Sequence, residues 1–198
     1  MTGTPASVID AILARRSTGP RHLANPGPGP EDLHSLALAA AAAPDHGRLG
    51  PLRLIHIPDD KRMVLAGLFM KAASDADPDA SAAVIETAGA RALSGPVLLA
   101  VIACIQDNHP DIPPHEQWIC AGAALQNVLL AAEARGFAAK MVSGRRVRSP
   151  VLRSAFMLDE SNHLVGFVML GTDGAEAGSK PASRRSADQI LSEWSPSG

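Results

Sequence analysis

The stretch Pro96-Val-Leu-Leu-Ala-Val-Ile-Ala-Cys-Ile105 decides the fold of this chain. Nine apolar residues follow the proline without a polar interruption, and turn-forming residues stand on both sides of the run. A run of this length and composition is typical of a strand that is buried on both faces of a sheet. The sequence therefore predicts a strand over residues 97–105 at the centre of a sheet.

Patterns on both sides of this run predict helices interleaved with further strands. Residues 52–57 alternate apolar and polar side chains, as a half-buried strand does. The longest helical pattern covers residues 116–135, ends at Gly136 and is apolar nearly all round, so we expect this helix to be buried. Shorter patterns predict helices at about 8–13, 31–43, 63–73, 78–91 and from 150, and strands at 137–142 and 163–170. These patterns favour an α+β fold, a sheet flanked by helices, and without a linker or repeat they predict a single domain over residues 1–198.

Composition and charge exclude several classes of partner. The chain has 18 Lys and Arg against 20 Asp and Glu, a formal charge of -2, so no global positive field would hold nucleic acid or an anionic membrane. No apolar stretch reaches the roughly twenty residues that cross a bilayer. Cys104 and Cys120 lack metal-ligand spacing, and no secretory signal precedes the first helix. We expect a reduced, cytoplasmic protein with no nucleic-acid partner and no membrane segment.

Arg15-Arg16-Ser17 follows the first predicted helix. Two guanidinium groups and a hydroxyl at one place can capture a phosphate through charge-assisted hydrogen bonds. Arginines are also favourable at any helix C-terminus, where they offset the negative end of the helix dipole. The motif alone leaves both interpretations open.

Two other stretches allow a ligand contact and an ordinary structural role alike. His46, in the turn 43–47, can donate a hydrogen bond to a ligand oxygen or be a solvated loop residue. Residues 136–144 form a short predicted strand ending in Ser143-Gly144, which can lie beside a planar ligand or simply lead into a turn. No phosphate-binding glycine loop and no Ser-His-Asp order is present, which weakens a kinase or hydrolase interpretation.

The loop between the buried strand and the long helix contains the acidic and imidazole side chains that metals bind. Their spacing matches no motif in which ligands share a helix face, and three prolines separate them. We therefore interpret the loop as a stiff surface segment and predict no metal site. The side chains concerned are His109, Asp111, His115 and Glu116.

Taken in order along the chain, these pieces resemble the nitroreductase family and are most similar to its short, single-domain members. The resemblance covers most of the chain and depends on the series of motifs rather than on any one. They are Arg15-Arg16-Ser17, Ala43-Pro44-Asp45-His46 before Pro51, Ala90-Arg91 before Pro96, Asn108-His109, Glu116-Gln117 with Ala121-Gly122, Gly136-Phe137, Ser143-Gly144, Ser149-Pro150-Val151, Val165-Gly166 and Leu170-Gly171-Thr172.

The resemblance implies a nitroreductase-like fold with a central, mostly antiparallel sheet flanked by helices. It also implies an intertwined homodimer with FMN bound in a groove that both subunits line. It assigns the phosphate and ribityl chain of FMN to Arg15, Arg16 and Ser17, with Arg184 or Arg185 as an additional cation. His46 is expected to approach the flavin from the partner subunit, beside Ala42, and Met141, Val142 and Ser143 to run along the isoalloxazine ring.

The activity implied by the resemblance is an FMN-dependent NAD(P)H oxidoreductase. NADH or NADPH is the expected donor, and a nitroaromatic, a quinone or a related small oxidised molecule is the expected acceptor. Because the flavin carries the hydride, we expect ping-pong kinetics and no catalytic side chain.

Two alternatives remain beside this activity. Relatives commonly carry Gln-Pro-Trp where this chain has Gly50-Pro51-Leu52, and Trp-Arg where it has Met141-Val142. These departures remove aromatic rings and one guanidinium from the expected site. They favour a flavin-binding or sequestering protein with little or no turnover. A domain that keeps only the fold, without a cofactor, is the other alternative.

Overall fold

A five-stranded sheet with helices on both faces forms the structure, a computed structural model that describes residues 7–174 and 184–195. The strands are β1 (Leu23–Ala24), β2 (Leu52–His56), β3 (Val97–Cys104), β4 (Ala138–Val142) and β5 (Asn162–Asp173). The α-helices are α1 (Val8–Ala14), α2 (Pro30–Ala41), α3 (Asp59–Ala76), α4 (Ala82–Ala90), α5 (Pro114–Ala134) and α6 (Pro150–Ala155). Short 3-10 turns cover Pro20–His22, His46–Arg48, Arg91–Leu93, Arg145–Arg148 and Ala187–Gln189.

Strand β3 lies between β2 and β5 and is antiparallel to both. The other side of β5 pairs with β4, and its last residues pair with β1, again antiparallel. Residues 98–103 of β3 are fully or almost fully buried. The predicted central, doubly covered strand is therefore confirmed, and so is the α+β fold with a mostly antiparallel sheet flanked by helices.

The alternation of side chains along β3 separates two apolar layers. Leu98, Ala100 and Ile102 face α3 and α6, together with Phe167 of β5. Leu99 and Val101 face α2 and α5 instead. Because successive side chains of a strand point to opposite faces, one continuous apolar run serves both layers.

The long helix α5 shows one correction to the sequence prediction. Gln117, Cys120 and Val128 are buried against the loop, α2 and the sheet. On the opposite face, Ile119 is 69% exposed and Trp118 is 42% exposed. The prediction that this helix is buried all round is therefore wrong for the single chain, because helices and sheet cover only one of its faces.

The first helix is likewise uncovered. Ser7 caps α1, its hydroxyl accepting a hydrogen bond from the Asp10 amide at 3.1 Å. The predicted helix is present and carries apolar side chains along one face, but Val8, Ile9 and Leu13 are all largely exposed. This helix therefore presents its hydrophobic surface away from the core of its own chain.

Strand β1 lies within the Pro- and Gly-rich segment 19–30, and its two residues pair with Thr172 and Asp173. Within the described part of the chain, no helix combines the length and hydrophobicity that a membrane span requires.

Candidate functional site

The segment Arg15-Arg16-Ser17 lies against β4. Arg15 caps α1, and Ser17 forms a parallel bridge with Ala139. The next amide, that of Thr18, donates to the Ala139 carbonyl at 3.1 Å. Strand β4 continues from there to Met141 and Val142, with Ser143 directly after it, so the fold brings both motifs to one strand although they are far apart in the sequence.

A third basic segment reaches the same place from the C-terminal part of the chain. The Arg184 guanidinium donates from Nη2 to the carbonyl oxygen of Arg15 at 2.9 Å. Arg184 therefore lies against the segment that carries Arg15 and Arg16. The resemblance leaves Arg184 and Arg185 as equal candidates for the additional cation near the phosphate. In the structure it is Arg184 that contacts Arg15.

A cavity of about 650 Å³ opens beside β4. Its apolar wall comes from α3, α6 and the sheet, and includes Phe69, Leu152 and Phe167. Three residues predicted to run along the flavin, Met141, Val142 and Ser143, line the same cavity. A largely apolar cavity with a few polar groups is the usual form of a cofactor site.

The charged residues that line this cavity are all cations. They are Arg91, Lys140, Arg145 and Arg146, and no carboxylate is among the lining residues. Burial lowers the pKa of the Arg146 guanidinium, and the like charge of Arg91 lowers it further. Two partly buried guanidinium groups repel each other. This repulsion favours binding of an anionic or electron-rich ligand between them.

Sequence reasoning did not identify these arginines as site residues. Arg91 precedes the central strand, while Arg145 and Arg146 follow β4, and only the folded sheet brings them to one cavity. The sequence feature that could have identified Arg145 and Arg146 was the basic run after Ser143-Gly144. It places cations on the cavity wall close to Val142, where relatives are expected to carry Arg.

The segment that carries Arg91 is held by a buried arginine. Arg62 of α3 is 5% exposed, and its Nε donates to the Ala92 carbonyl at 2.6 Å. Its Nη2 donates to the carbonyls of Ser94 and Gly95 at 2.7 and 2.9 Å. The guanidinium thereby fixes residues 91–95, and with them one wall of the cavity, to α3.

The opposite rim is fixed by hydrogen bonding and close packing. The Ser143 hydroxyl donates to the Val165 carbonyl at 2.6 Å. Gly166 lies directly under the end of β4, because a Cβ at this position would contact the Val142 carbonyl oxygen. Gly144 has a φ of 141°, a conformation that favours glycine. These contacts determine where the chain leaves β4 and turns along the cavity.

Arg15, Arg16 and Ser17 meet β4 at Ala139 without lining the cavity, and the predicted site residues Ala42 and His46 lie elsewhere in the chain. His46 Nδ1 is 2.8 Å from Glu116 Oε2, and its side chain is 65% exposed. Ala42 is exposed at the C-terminal cap of α2. Neither residue lines the cavity beside β4. The single chain therefore does not bring Ala42 and His46 together with Arg15, Arg16 and Ser17.

The loop before α5 is organised by internal hydrogen bonds. His109 Nδ1 accepts from the amides of Asp111 and Ile112 at 3.2 and 3.0 Å. The buried Gln117 donates to the carbonyls of Gln106 and Ile112, both at 3.0 Å. Within residues 7–174 and 184–195, no group of three or more His, Cys, Asp or Glu side chains is arranged to hold a metal ion. That the protein binds no metal stays a prediction.

Comparisons with known proteins agree on one family. Residues 12–172 match the sequence profile described as the nitroreductase family. The chain is 32% identical over 169 residues to the Escherichia coli (strain K12) protein named "Putative NAD(P)H nitroreductase YdjA", covering 85% of this chain and 90% of that protein. A "Putative NAD(P)H nitroreductase" of Haemophilus influenzae is 33% identical over 165 residues, 83% of this chain and 87% of that protein.

Solved structures show the same fold at lower sequence identity. The nitroreductase-like family protein of Bacillus cereus superposes with a TM-score of 0.82 at 20% identity, over 97% of this chain and 98% of that chain. A nitroreductase of Desulfovibrio desulfuricans, crystallised in complex with FMN, gives a TM-score of 0.70 at 24% identity, over 96% and 98% of the two chains.

Proposed function

Because this chain belongs to the nitroreductase family, we propose that it is an FMN-dependent oxidoreductase that uses NADH or NADPH to reduce a small oxidised acceptor such as a nitroaromatic or a quinone. One observation carries the proposal. The cavity lined by Met141, Val142 and Ser143 opens along β4, and the segment that contains Arg15 and Arg16 bridges the same strand at Ala139 through Ser17. The nicotinamide donor is inferred from the names of the relatives, and FMN is inferred from the crystal complex of the D. desulfuricans protein.

The chemistry of the lining residues suits FMN. An isoalloxazine ring is flat and largely apolar, and the cavity offers Phe69, Leu152 and Phe167 on one wall. The phosphate is dianionic, and Arg15, Arg16 and Arg184 provide three guanidinium groups where the cavity's edge strand begins. Bidentate contacts between guanidinium and phosphate are among the strongest hydrogen bonds that proteins make.

The protein's own part in the reaction is binding and orientation. FMN, when bound, supplies the hydride chemistry by accepting two electrons from the donor and passing them to the acceptor. Ser143 and Gly144 shape the rim, and the cations on the wall favour electron-rich edges of a bound ring. No side chain is required as an acid or base, so we propose ping-pong kinetics with donor and acceptor using the site in turn.

We propose that the functional unit is a homodimer. The exposed apolar residues of α1 and the Ile119 side chain of α5, which lines neither cavity, are the surfaces a second copy would cover. His46 and Ala42 lie away from their own chain's cavity and would face the flavin of the partner subunit. We further propose that residues 1–198 form one domain and that the protein works in the cytoplasm, where Cys104 and Cys120 stay reduced.

A flavin-sequestering protein with little turnover is the second candidate. Leu52 and Val142 stand where relatives are expected to carry Trp and Arg, which reduces the contacts to the flavin. Arg145 and Arg146, however, line the same cavity as Val142 and provide cationic groups there. We therefore favour turnover over sequestration.

The test is anaerobic reduction of the purified, FMN-loaded protein. We expect NADH or NADPH to bleach the visible flavin absorbance, and a nitroaromatic or quinone added afterwards to restore it. Initial rates measured at several acceptor concentrations should give parallel double-reciprocal lines, as a ping-pong mechanism requires. A protein that holds FMN but is not reduced by either nucleotide would be a sequestering protein, and one that takes up no FMN would contradict both candidates.

A further inference from the structure

A second cavity of about 770 Å³ adjoins the first. The two cavities share Ser143, Gly144, Arg145 and Val147, so only one short turn separates them. The Ser143 hydroxyl holds this turn through its bond to the Val165 carbonyl, and Val165 itself lines the second cavity. A ligand in the second cavity would therefore lie next to whatever occupies the first.

The second cavity is basic. Arg145, Arg148 and Arg153 line it, and no carboxylate does. Arg153 donates from Nη2 to the Asp159 carbonyl at 2.8 Å, which fixes its position without neutralising its charge. Among the described residues, no ion pair joins Arg145 or Arg148 to an acidic side chain. The cavity consequently offers uncompensated guanidinium groups to an anion.

An aromatic surface completes the second cavity. The Trp118 indole lies with its ring centroid 5.4 Å from that of the His163 imidazole, at an interplanar angle of 42°. Both side chains line the cavity, and the indole remains 42% exposed. A flat, partly exposed indole near guanidinium groups suits a ligand that combines an aromatic ring with a phosphate.

We propose that this second cavity binds the adenosine end of the nicotinamide donor through its 2′-phosphate, so that NADPH is preferred over NADH. The inference rests on the proposed function, because the nicotinamide end must reach the flavin in the first cavity. Arg145 and Arg148 bind the 2′-phosphate, and Trp118 stacks on the adenine. NADH differs from NADPH only in lacking this phosphate. The preference for NADPH over NADH therefore depends directly on the contacts of these two arginines.

The kinetic test replaces Arg148 with Gln in the FMN-loaded protein. We expect kcat/KM for NADPH to fall about tenfold, the loss of one charge-assisted contact worth about 1.4 kcal/mol, while kcat/KM for NADH changes less than about twofold. Arg53→Gln is the matched control, because Arg53 is exposed on β2 and lines neither cavity. Equal losses for both nucleotides, or no loss for either, would overturn the proposal.

A binding measurement separates this proposal from the proposed function. Calorimetry compares adenosine 2′,5′-bisphosphate with adenosine 5′-monophosphate, which differ by the 2′-phosphate alone. We expect the bisphosphate to bind about tenfold more tightly or better, and Arg148→Gln to abolish the difference. Equal affinities would contradict the proposal even in a protein that turns over. A selective rise in KM for p-nitrobenzoate in Arg148→Gln, with NADPH unaffected, would also overturn it and assign the cavity to an anionic acceptor.

Discussion

Replacing Arg62 with Met tests how the cavity wall is held. The guanidinium is 5% exposed and donates to three carbonyl oxygens, those of Ala92, Ser94 and Gly95. Its pKa is lowered because burial penalises the charged form, and Asp59 opposes this effect only in part. Met keeps the length and apolar character of the stem but provides no donor, so all three carbonyls lose their hydrogen-bond partner.

The expected cost follows from the burial of each contact. A fully buried carbonyl left without a donor costs about 1–3 kcal/mol, and each of the two half-buried contacts contributes about 0.5–1.5 kcal/mol. Removing a buried cation relieves its desolvation and offsets part of this loss. We therefore expect Arg62→Met to lower the free energy of unfolding by about 2–4 kcal/mol. Arg62→Lys should cost less, since one ammonium group retains some of the contacts but cannot span all three.

Urea denaturation of the flavin-free protein measures this loss. Parent and variants are compared at one protein concentration, because the proposed dimerisation would make the midpoint concentration-dependent. The same substitution should weaken FMN binding, because residues 91–95 carry Arg91 and Ser94 to the cavity wall. An Arg62→Met protein that unfolds within about 0.5 kcal/mol of the parent, a spread usual for surface substitutions, would refute this reasoning.

Three further predictions test the rim, the acid dependence and the proposed interface. Gly166→Ala should lower the free energy of unfolding by about 1–3 kcal/mol, because the added Cβ would press on the carbonyl at the end of β4. Gly67→Ala, which has open space for its Cβ, should not destabilise the protein in the same urea titration. The pKa of Asp32 is held below its ordinary value, mainly by the hydrogen bond from Arg135 and also by the hydrogen bond from the Gly29 amide. The stability that the Asp32 carboxylate gives the fold is therefore present above its ordinary pKa and is lost as the pH falls through its lowered pKa. The midpoint difference between parent and Asp32→Asn should thus shrink on acidification below about pH 4, and a difference independent of pH would count against the pairing. Ile119→Arg should convert the proposed dimer into a monomer, as measured by light scattering, and an unchanged mass would show that Ile119 lies outside the interface.

The regular elements were predictable because their apolar periodicity is strong. The run before Ile105 has no polar residue to place on a solvent face, and Gly136 marks the end of the long helix. Strand β1 was not predictable, since Leu23 and Ala24 are too few to show a period and are recognised only by pairing with β5. Local patterns report burial, whereas short pairings are decided by the rest of the fold.

The candidate site was predictable only in part. Residue types left Arg15 and Arg16 open between an anion site and helix-terminal charges, and the resemblance assigned them to the FMN phosphate and placed Ser143 near the flavin. That Arg91 and Arg146 meet at one cavity depends on three-dimensional contacts that no spacing in the sequence expresses. Nor does an apolar helix face reveal what covers it, which is why the long helix was expected to be buried although Ile119 is exposed in the single chain.

Titration of the flavin-free protein with FMN and with riboflavin tests the central claim most directly. Riboflavin lacks the phosphate, so the parent should bind FMN far more tightly, as followed by quenching of flavin fluorescence. Arg15→Ala and Arg16→Ala should each weaken FMN binding by roughly ten- to a hundredfold while riboflavin binding changes little, because a charge-assisted contact contributes about 1.5–3 kcal/mol. Ser17→Ala should cost less, since a neutral hydroxyl makes a weaker bond than a guanidinium. If the two Arg variants lose thermal stability yet bind both flavins as the parent does, these residues are helix-terminal charges only, and the account of the site is contradicted.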